Sequence, residues 1–287
     1  MGLARRAIVA AAALCGGVAG LEASARARAT RRSLLAGGAA AVVLPRPAAA
    51  MWQLWTPADM EVFVDRAAPD AASVLKKMDE CAETSWMMNM GPEKGVMLEA
   101  EVASRRPARV LEVGTFLGYM TVRLARAMPP DSELVTIELD PTNYATAQKV
   151  LGKALPAAQR SRVDSRLGAS SDVIAALREP KFDMVLMDHW KPEYAKDLEL
   201  LRKRGLLAPG ALVVADNVLF PGAPELLSYL GVPFETTTDE TSGQACLAVQ
   251  TDARWTSKDF ATTLKRTPFE YRPLTPDAMT FSIYKPS

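Results

Sequence analysis

Histidine occurs once in the 287 residues, as His189, and cysteine three times, as Cys15, Cys81 and Cys246. A zinc site built from clustered histidines is therefore excluded, and any serine or cysteine nucleophile activated by imidazole would have to use His189. No two cysteines form a Cys-x-x-Cys motif, and so few make no disulfide framework. An excess of one charge is lacking too, since 34 basic and 33 acidic side chains leave a net +1. That balance conceals an asymmetry: residues 1–50 hold seven arginines against a single acid, Glu22. The remaining 237 residues carry 27 basic and 32 acidic groups. A mildly acidic body does not suit a nucleic-acid partner, which is held by lysine and arginine clustered against phosphates. A Gly-x-Gly-x-x-Gly run is also missing, which disfavours a nicotinamide dinucleotide site.

What is present begins with an unusual leader. Residues 1–50 contain 18 alanines. Arg5-Arg6 precedes an apolar run from Ala7 to Gly20, the length of a signal-peptide core and short for a membrane span. An Arg/Ala/Ser stretch follows, poor in acids in the manner of a transit segment. Then Thr30-Arg31-Arg32-Ser33-Leu34-Leu35, a second apolar run and Ala48-Ala49-Ala50 resemble a twin-arginine export signal with its cleavage site. The expectation is a cleaved targeting leader; the alternative is a low-complexity anchor that stays attached. The address read from it is non-cytosolic, an organelle (plastid or thylakoid lumen among them) or export.

From about residue 52 helical and strand patterns alternate. Helices are expected at Pro57–Asp65, Asp70–Ala82, Glu93–Ser104, Tyr119–Met128, Pro141–Lys153, Ser170–Leu177 and Pro192–Arg204. Short apolar runs at Arg109–Val113, Leu134–Glu138, Arg162–Leu167, Phe182–Met187 and Ala211–Ala215 read as strands, the last two continuous enough to be buried on both faces. Strands separated by helices imply right-handed crossovers in one sheet. The fold expected is α/β, a doubly wound, Rossmann-like, mostly parallel sheet closed by a C-terminal antiparallel hairpin. It forms a single domain over 51–287, with a polar, irregular insertion around 236–267 and the hairpin from Phe269 to Lys285.

Ligands of such sheets bind beyond the carboxyl ends of the strands, so the functional residues are expected at those positions. The first strand runs into Glu112, Gly114 and Gly118, an acid followed by glycines that let a ligand approach the backbone. The second ends in Glu138, placed to accept from ribose hydroxyls. Two acids without a phosphate-binding glycine pattern favour a nucleoside lacking phosphates, and S-adenosylmethionine, with its cationic sulfonium and ammonium, fits. Asp188-His189-Trp190-Lys191 follows the fourth strand and Asp216-Asn217 the fifth. Oxygen donors converging from neighbouring strand ends suit a hard cation such as Mg²⁺.

These residues carry a resemblance. Trp86-Met-Met-Asn-Met-Gly91 with Lys94-Gly95, Leu111-Glu-Val-Gly114 with Gly118-Tyr119, Gly168-Ala-Ser170, Asp183-Met184 through Asp188-His-Trp-Lys191, Ala215-Asp-Asn-Val218 with Pro221-Gly222, and a tail with Glu270-Tyr-Arg272 and Ile283-Tyr-Lys285 resemble the catechol O-methyltransferases. The resemblance implies a class I enzyme that moves a methyl group from S-adenosylmethionine to one catechol oxygen with Mg²⁺. It implies Asp188, Asp216 and Asn217 as metal ligands, Lys191 as general base, and Glu270 as acceptor for the second hydroxyl. Glu235 and Glu240 are the alternatives to Glu270, because about 26 extra residues precede it. Cofactor contacts would come from Met90, Glu112, Gly114, Phe116, Tyr119, Met120, Glu138, Leu139, Ser170, Ser171, Asp188, His189 and Trp190. Met120 stands where the family has a hydroxyl residue, which puts one cofactor hydrogen bond in doubt. The substrate would meet Trp86, Met88, Trp190, Lys191, Asn217, Pro221 and Glu270.

The reading is therefore a monomeric methyltransferase acting on a small catechol-type molecule, with no nucleic-acid partner and no membrane span in the mature domain. Three alternatives stay open: another aromatic diol of caffeoyl or flavonoid type, a silent S-adenosylmethionine-binding protein, and a Rossmann oxidoreductase.

Overall fold

The computed structural model describes residues 56–84, 87–178, 180–238, 245–250 and 253–286. The leader read from residues 1–50, together with Trp86 and Glu240, lies outside the described residues. Among the described residues no helix is long and apolar enough to cross a membrane.

Three helices come first, Pro57–Asp65, Ala71–Thr84 and Gly91–Arg105. Thr56 and Asp59 cap the first reciprocally, with Pro57 at its opening position. The second buries Val74, Leu75, Met78, Cys81 and Ala82, a stripe at helical spacing. The third ends where Arg106 adopts left-handed φ of 49° ahead of Pro107.

Five parallel strands follow: β1 Arg109–Val113, β2 Glu133–Glu138, β3 Val163–Leu167, β4 Phe182–Met187 and β5 Leu207–Ala215. Helices Tyr119–Ala127, Pro141–Ala154, Ser170–Ala176 and Tyr194–Lys203 alternate with them. Their order in the sheet is β3-β2-β1-β4-β5, so the winding reverses between β1 and β4. The continuous apolar runs have the expected cause. In β4, Met184 and Leu186 join the core on one face, while Val185 and Met187 join the core on the other. Leu212 and Val214 of β5 likewise oppose Val213 and Ala215. Each face is covered by helices, so neither side chain set meets water.

The C-terminal region departs from the sequence reading. Residues 236–267, expected to be polar and irregular, contain most of four strands. These are β6 Glu235–Thr238, β7 Ala245–Ala248, β8 Arg254–Thr256 and β9 Phe260–Phe269. The hairpin therefore starts at Phe260 rather than Phe269, with β9 antiparallel to β10 Arg272–Tyr284. Threonines gave the stretch its polar appearance, yet Thr262 and Ser282 hydroxyls pair at 2.9 Å inside the sheet. A hydroxyl satisfied across a strand pair costs little to bury. β10 extends the sheet antiparallel to β5, and β9 and β8 complete it at eight strands. β6 and β7 form a separate ribbon, and Cys246 of β7 packs with Phe220 and Phe269.

At the winding reversal two chains nearly touch. A Cβ added to Gly114 would lie 2.2 Å from the backbone oxygen of Asp188, and Gly114 has φ +104°. Only glycine permits this approach. Gly152 is the contrast, because nothing lies within 4 Å of its Cβ position on the helix Pro141–Ala154. Gly114→Ala should cost more than about 2 kcal/mol, whereas Gly152→Ala should stabilise by roughly 0.5–1 kcal/mol. Urea unfolding of both variants reads the two signs, and equal effects would contradict the close approach.

Candidate active site

The strand ends converge on one edge because each turn is hydrogen-bonded to its neighbour. Asp188 donates its backbone N–H to Val113 at 2.9 Å, and Asp216 donates to Met187 at 3.0 Å. Gly114 and Thr115 both donate to Ile137 at 3.0 Å. The residues that follow β1, β2, β4 and β5 are thus held side by side at the sheet's carboxyl edge.

Glu112 is fully buried, and one carboxylate oxygen accepts from the Thr121 and Thr136 hydroxyls, each at 2.6 Å. Its other oxygen, Oε1, is buried without a partner. Burial pushes this carboxyl up to about 8, against the two hydroxyl donors. Glu138 accepts backbone N–H bonds from Phe116 at 2.7 Å and Asp140 at 2.9 Å, one on each oxygen. The carboxylate is thereby fixed while each oxygen keeps a lone pair for a further donor.

The most heavily charged point is a cluster that the sequence reading only partly anticipated. Lys94 Nζ lies 2.7 Å from Asp216, 2.8 Å from Asp277 and 2.9 Å from Glu270, and all four side chains are buried. Burial opposes the lysine charge, but the three carboxylates together hold its pKa well above the ordinary value. Burial pushes Glu270 up to about 8, with Lys94 pulling against it and Asp216 and Asp277 adding to it. Asn217 donates its amide nitrogen to Glu270 at 2.6 Å and Asp277 at 2.9 Å. Its Oδ1 is therefore the atom left to accept or to bind a cation. Asp277 also accepts from the backbone of Leu219 at 3.3 Å and Phe220 at 3.1 Å, pinning the turn Val218–Gly222.

Asp188 sits beside this cluster, accepting from Lys191 Nζ at 3.2 Å. Burial pushes Asp188 up to about 6, which the Lys191 ammonium opposes and Asp216 reinforces. The Lys191 amine also lies 5.3 Å over the Tyr194 ring. His189 Nε2 is 2.9 Å from Asp197, and burial lowers the imidazole pKa, so a neutral ring donates from Nε2. Nδ1 is then a buried acceptor without a partner.

The residues present suit a hard divalent cation. Asp188, Asp216 and Asn217 Oδ1 supply only oxygen, and Asp216 Oδ2 is a buried carboxylate oxygen with no hydrogen-bond partner. A cation there would occupy the side of Asp216 that Lys94 does not.

A family model described as O-methyltransferase matches residues 66–225. The chain belongs to the O-methyltransferase family. It is 40% identical over 166 residues to catechol O-methyltransferase from Mus musculus, covering 56% of this chain and 62% of the mouse protein. The chain thus spans less than two thirds of that relative. Catechol O-methyltransferase from Sus scrofa is 42% identical over 147 residues, covering 50% of this chain and 77% of the pig protein. Among solved structures, the O-methyltransferase TomG from Streptomyces achromogenes, in complex with S-adenosylmethionine, superposes with TM-score 0.58 at 25% identity. That alignment covers 80% of this chain and 97% of TomG.

Within this O-methyltransferase fold the expected site residues divide into four groups. Glu112, Gly114, Phe116, Glu138, Asp188, His189, Lys191, Asp216, Asn217 and Glu270 stand at the carboxyl edge or on the turn facing it. Leu139, Met88 and Trp190 are exposed at 61%, 51% and 45%, apolar surface left open beside that edge, as is Pro221. Ser170 and Ser171 open the helix after β3. Met90, Tyr119 and Met120 are instead buried in the core, with the Tyr119 hydroxyl accepting from Arg123 at 3.0 Å. Glu270 reaches the cluster, whereas Glu235 is exposed on β6. Lys94 and Asp277 were absent from the expected set, although both left a signal. Lys94 lies in register with Leu98 and Val102 on the buried stripe of its helix, and Asp277 precedes the buried Ala278 and Met279 inside β10.

The raised Glu112 carboxyl has a measurable sign. The folded protein without ligands holds a proton that the unfolded chain releases above its ordinary 4.5, so stability present in acid is lost as pH rises toward about 8. Denaturant unfolding between those limits should show this decline, and Glu112→Gln should flatten it. A slope unchanged in the variant would remove Glu112 as its source.

Proposed function

We propose that the chain transfers a methyl group from S-adenosylmethionine to one hydroxyl of a catechol-type diol, with Mg²⁺ at Asp188, Asp216 and Asn217. The observation that carries the reading is that Asp188 and Asp216-Asn217 follow the paired strand ends Met187 and Ala215, with Lys191 Nζ 3.2 Å from Asp188, in a chain 40% identical to the mouse catechol O-methyltransferase. When bound, the sulfonium supplies an activated methyl and the cation supplies charge that lowers the pKa of the two hydroxyls.

The protein's own residues do the rest. Glu138, locked by two backbone donors, accepts from the ribose hydroxyls, and Glu112 Oε1 takes the methionine ammonium as its missing partner. Trp190 and Pro221 wall a flat aromatic ring, and Met88 lies under it. Lys191 Nζ, as the neutral amine, receives the proton of the reacting hydroxyl, and its position 3.2 Å from Asp188 supports a place beside that hydroxyl. Glu270 accepts from the second hydroxyl, so one oxygen is held while the other reacts. Alignment of oxygen, methyl and sulfur is the main demand, because opposite charges cancel during transfer and little else needs stabilising.

Two variants test the roles separately. Lys191→Met should lower kcat by roughly 10²- to 10⁴-fold while cofactor affinity changes little. Asp216→Ala should abolish Mg²⁺-dependent turnover of catechol. A Lys191→Met enzyme with unchanged rate and pH profile would strip Lys191 of its role, and full Asp216→Ala activity would remove the metal assignment.

A further inference from the structure

Asp216, Glu270 and Asp277 each offer a carboxylate oxygen, and the three lie within 4.8 Å of one another. Three buried acids at that spacing would ordinarily gather a divalent ion. Lys94 Nζ occupies the space between them, 2.7 to 2.9 Å from one oxygen of each. We infer that Lys94 is a positioning residue that shuts cations out of this trio, confining the metal to Asp188, Asp216 and Asn217 and keeping Glu270 free for the acceptor substrate.

The inference rests on the methyltransferase reading and deepens it. Mg²⁺ holds its oxygens at roughly 2.0–2.1 Å and tolerates little distortion, so it cannot share a position with an ammonium already paired to the same atoms. Lys94 stands in the first turn of the helix Gly91–Arg105 and is 1% exposed, so its amine has nowhere to withdraw. Asn217 acts in the same sense. Its amide nitrogen donates to the same Glu270 Oε1 and Asp277 Oδ2 that pair with Lys94. Glu270 is therefore held by one oxygen and receives none of these bonds on Oε2, the atom left for a substrate hydroxyl. Without the ammonium, Glu270 would become a metal ligand and be lost as an acceptor.

Mn²⁺ titration into the full chain by calorimetry, followed on wild type, Asp188→Asn, Glu270→Gln, Lys94→Met and the double variant Lys94→Met/Glu270→Gln, tests this without reference to turnover. Asp188→Asn should weaken the wild-type ion by at least about tenfold, whereas Glu270→Gln should change it by less than about threefold. Lys94→Met should take a second ion, or hold its single ion more tightly, and the added Glu270→Gln change should abolish that gain. If Glu270→Gln weakens the wild-type ion as much as Asp188→Asn, Glu270 already ligates it and the inference is overturned; this comparison stands even if Lys94→Met does not fold. A folded Lys94→Met with wild-type stoichiometry and no dependence on Glu270 also overturns it. A wild-type chain whose ion is indifferent to Asp188→Asn sinks the metal assignment itself, and the inference with it.

Discussion

A buried ammonium among three buried carboxylates is the interaction on which the site depends. Such clusters are costly to desolvate, and removing one member leaves uncompensated charge that typically costs about 3–5 kcal/mol. Lys94 comes from a helix that precedes the sheet, Asp216 from the end of β5, and Glu270 and Asp277 from the C-terminal hairpin. Three regions far apart in sequence are thereby pinned at one atom. One ammonium cannot neutralise three carboxylates, so the cluster retains protons near neutral pH, and a divalent cation on the open side of Asp216 would draw those protons off.

The hairpin turn is held from both sides. Glu270 is tied inward to Lys94 and Asn217, while the next residue, Tyr271, donates its hydroxyl to Asp79 on the helix Ala71–Thr84 at 2.8 Å. Tyr271 itself adopts φ 51°, a left-handed conformation that turns the two side chains apart. On the sheet, Gly114 lets the end of β1 pass against Asp188 with no side chain between. Parallel topology, a missing Cβ and a buried ion cluster thus act at successive scales to hold the same few oxygens in place.

Much of this was legible in the sequence because its causes are local. Apolar runs such as Phe182–Met187 state their double burial directly, and acids placed just beyond them fall on the binding edge by topology. The positions of Asp188, Asp216 and Asn217 just past β4 and β5 follow in that way. Lys94 and Asp277 do not, since they pair with each other across 183 residues and nothing local specifies the pairing. The strands between 235 and 269 escaped for a different reason. Buried threonines look polar in sequence, and only the cross-strand partner, as between Thr262 and Ser282, reveals that the hydroxyl is satisfied.

The most direct test of the account is methyl transfer from labelled S-adenosylmethionine to catechol by the full chain, with Mg²⁺ and after chelation. The account predicts labelled product in the presence of the ion and its loss on chelation, restored when Mg²⁺ returns. Transfer that persists undiminished without any divalent cation would contradict it, as would a chain that binds neither S-adenosylmethionine nor the metal.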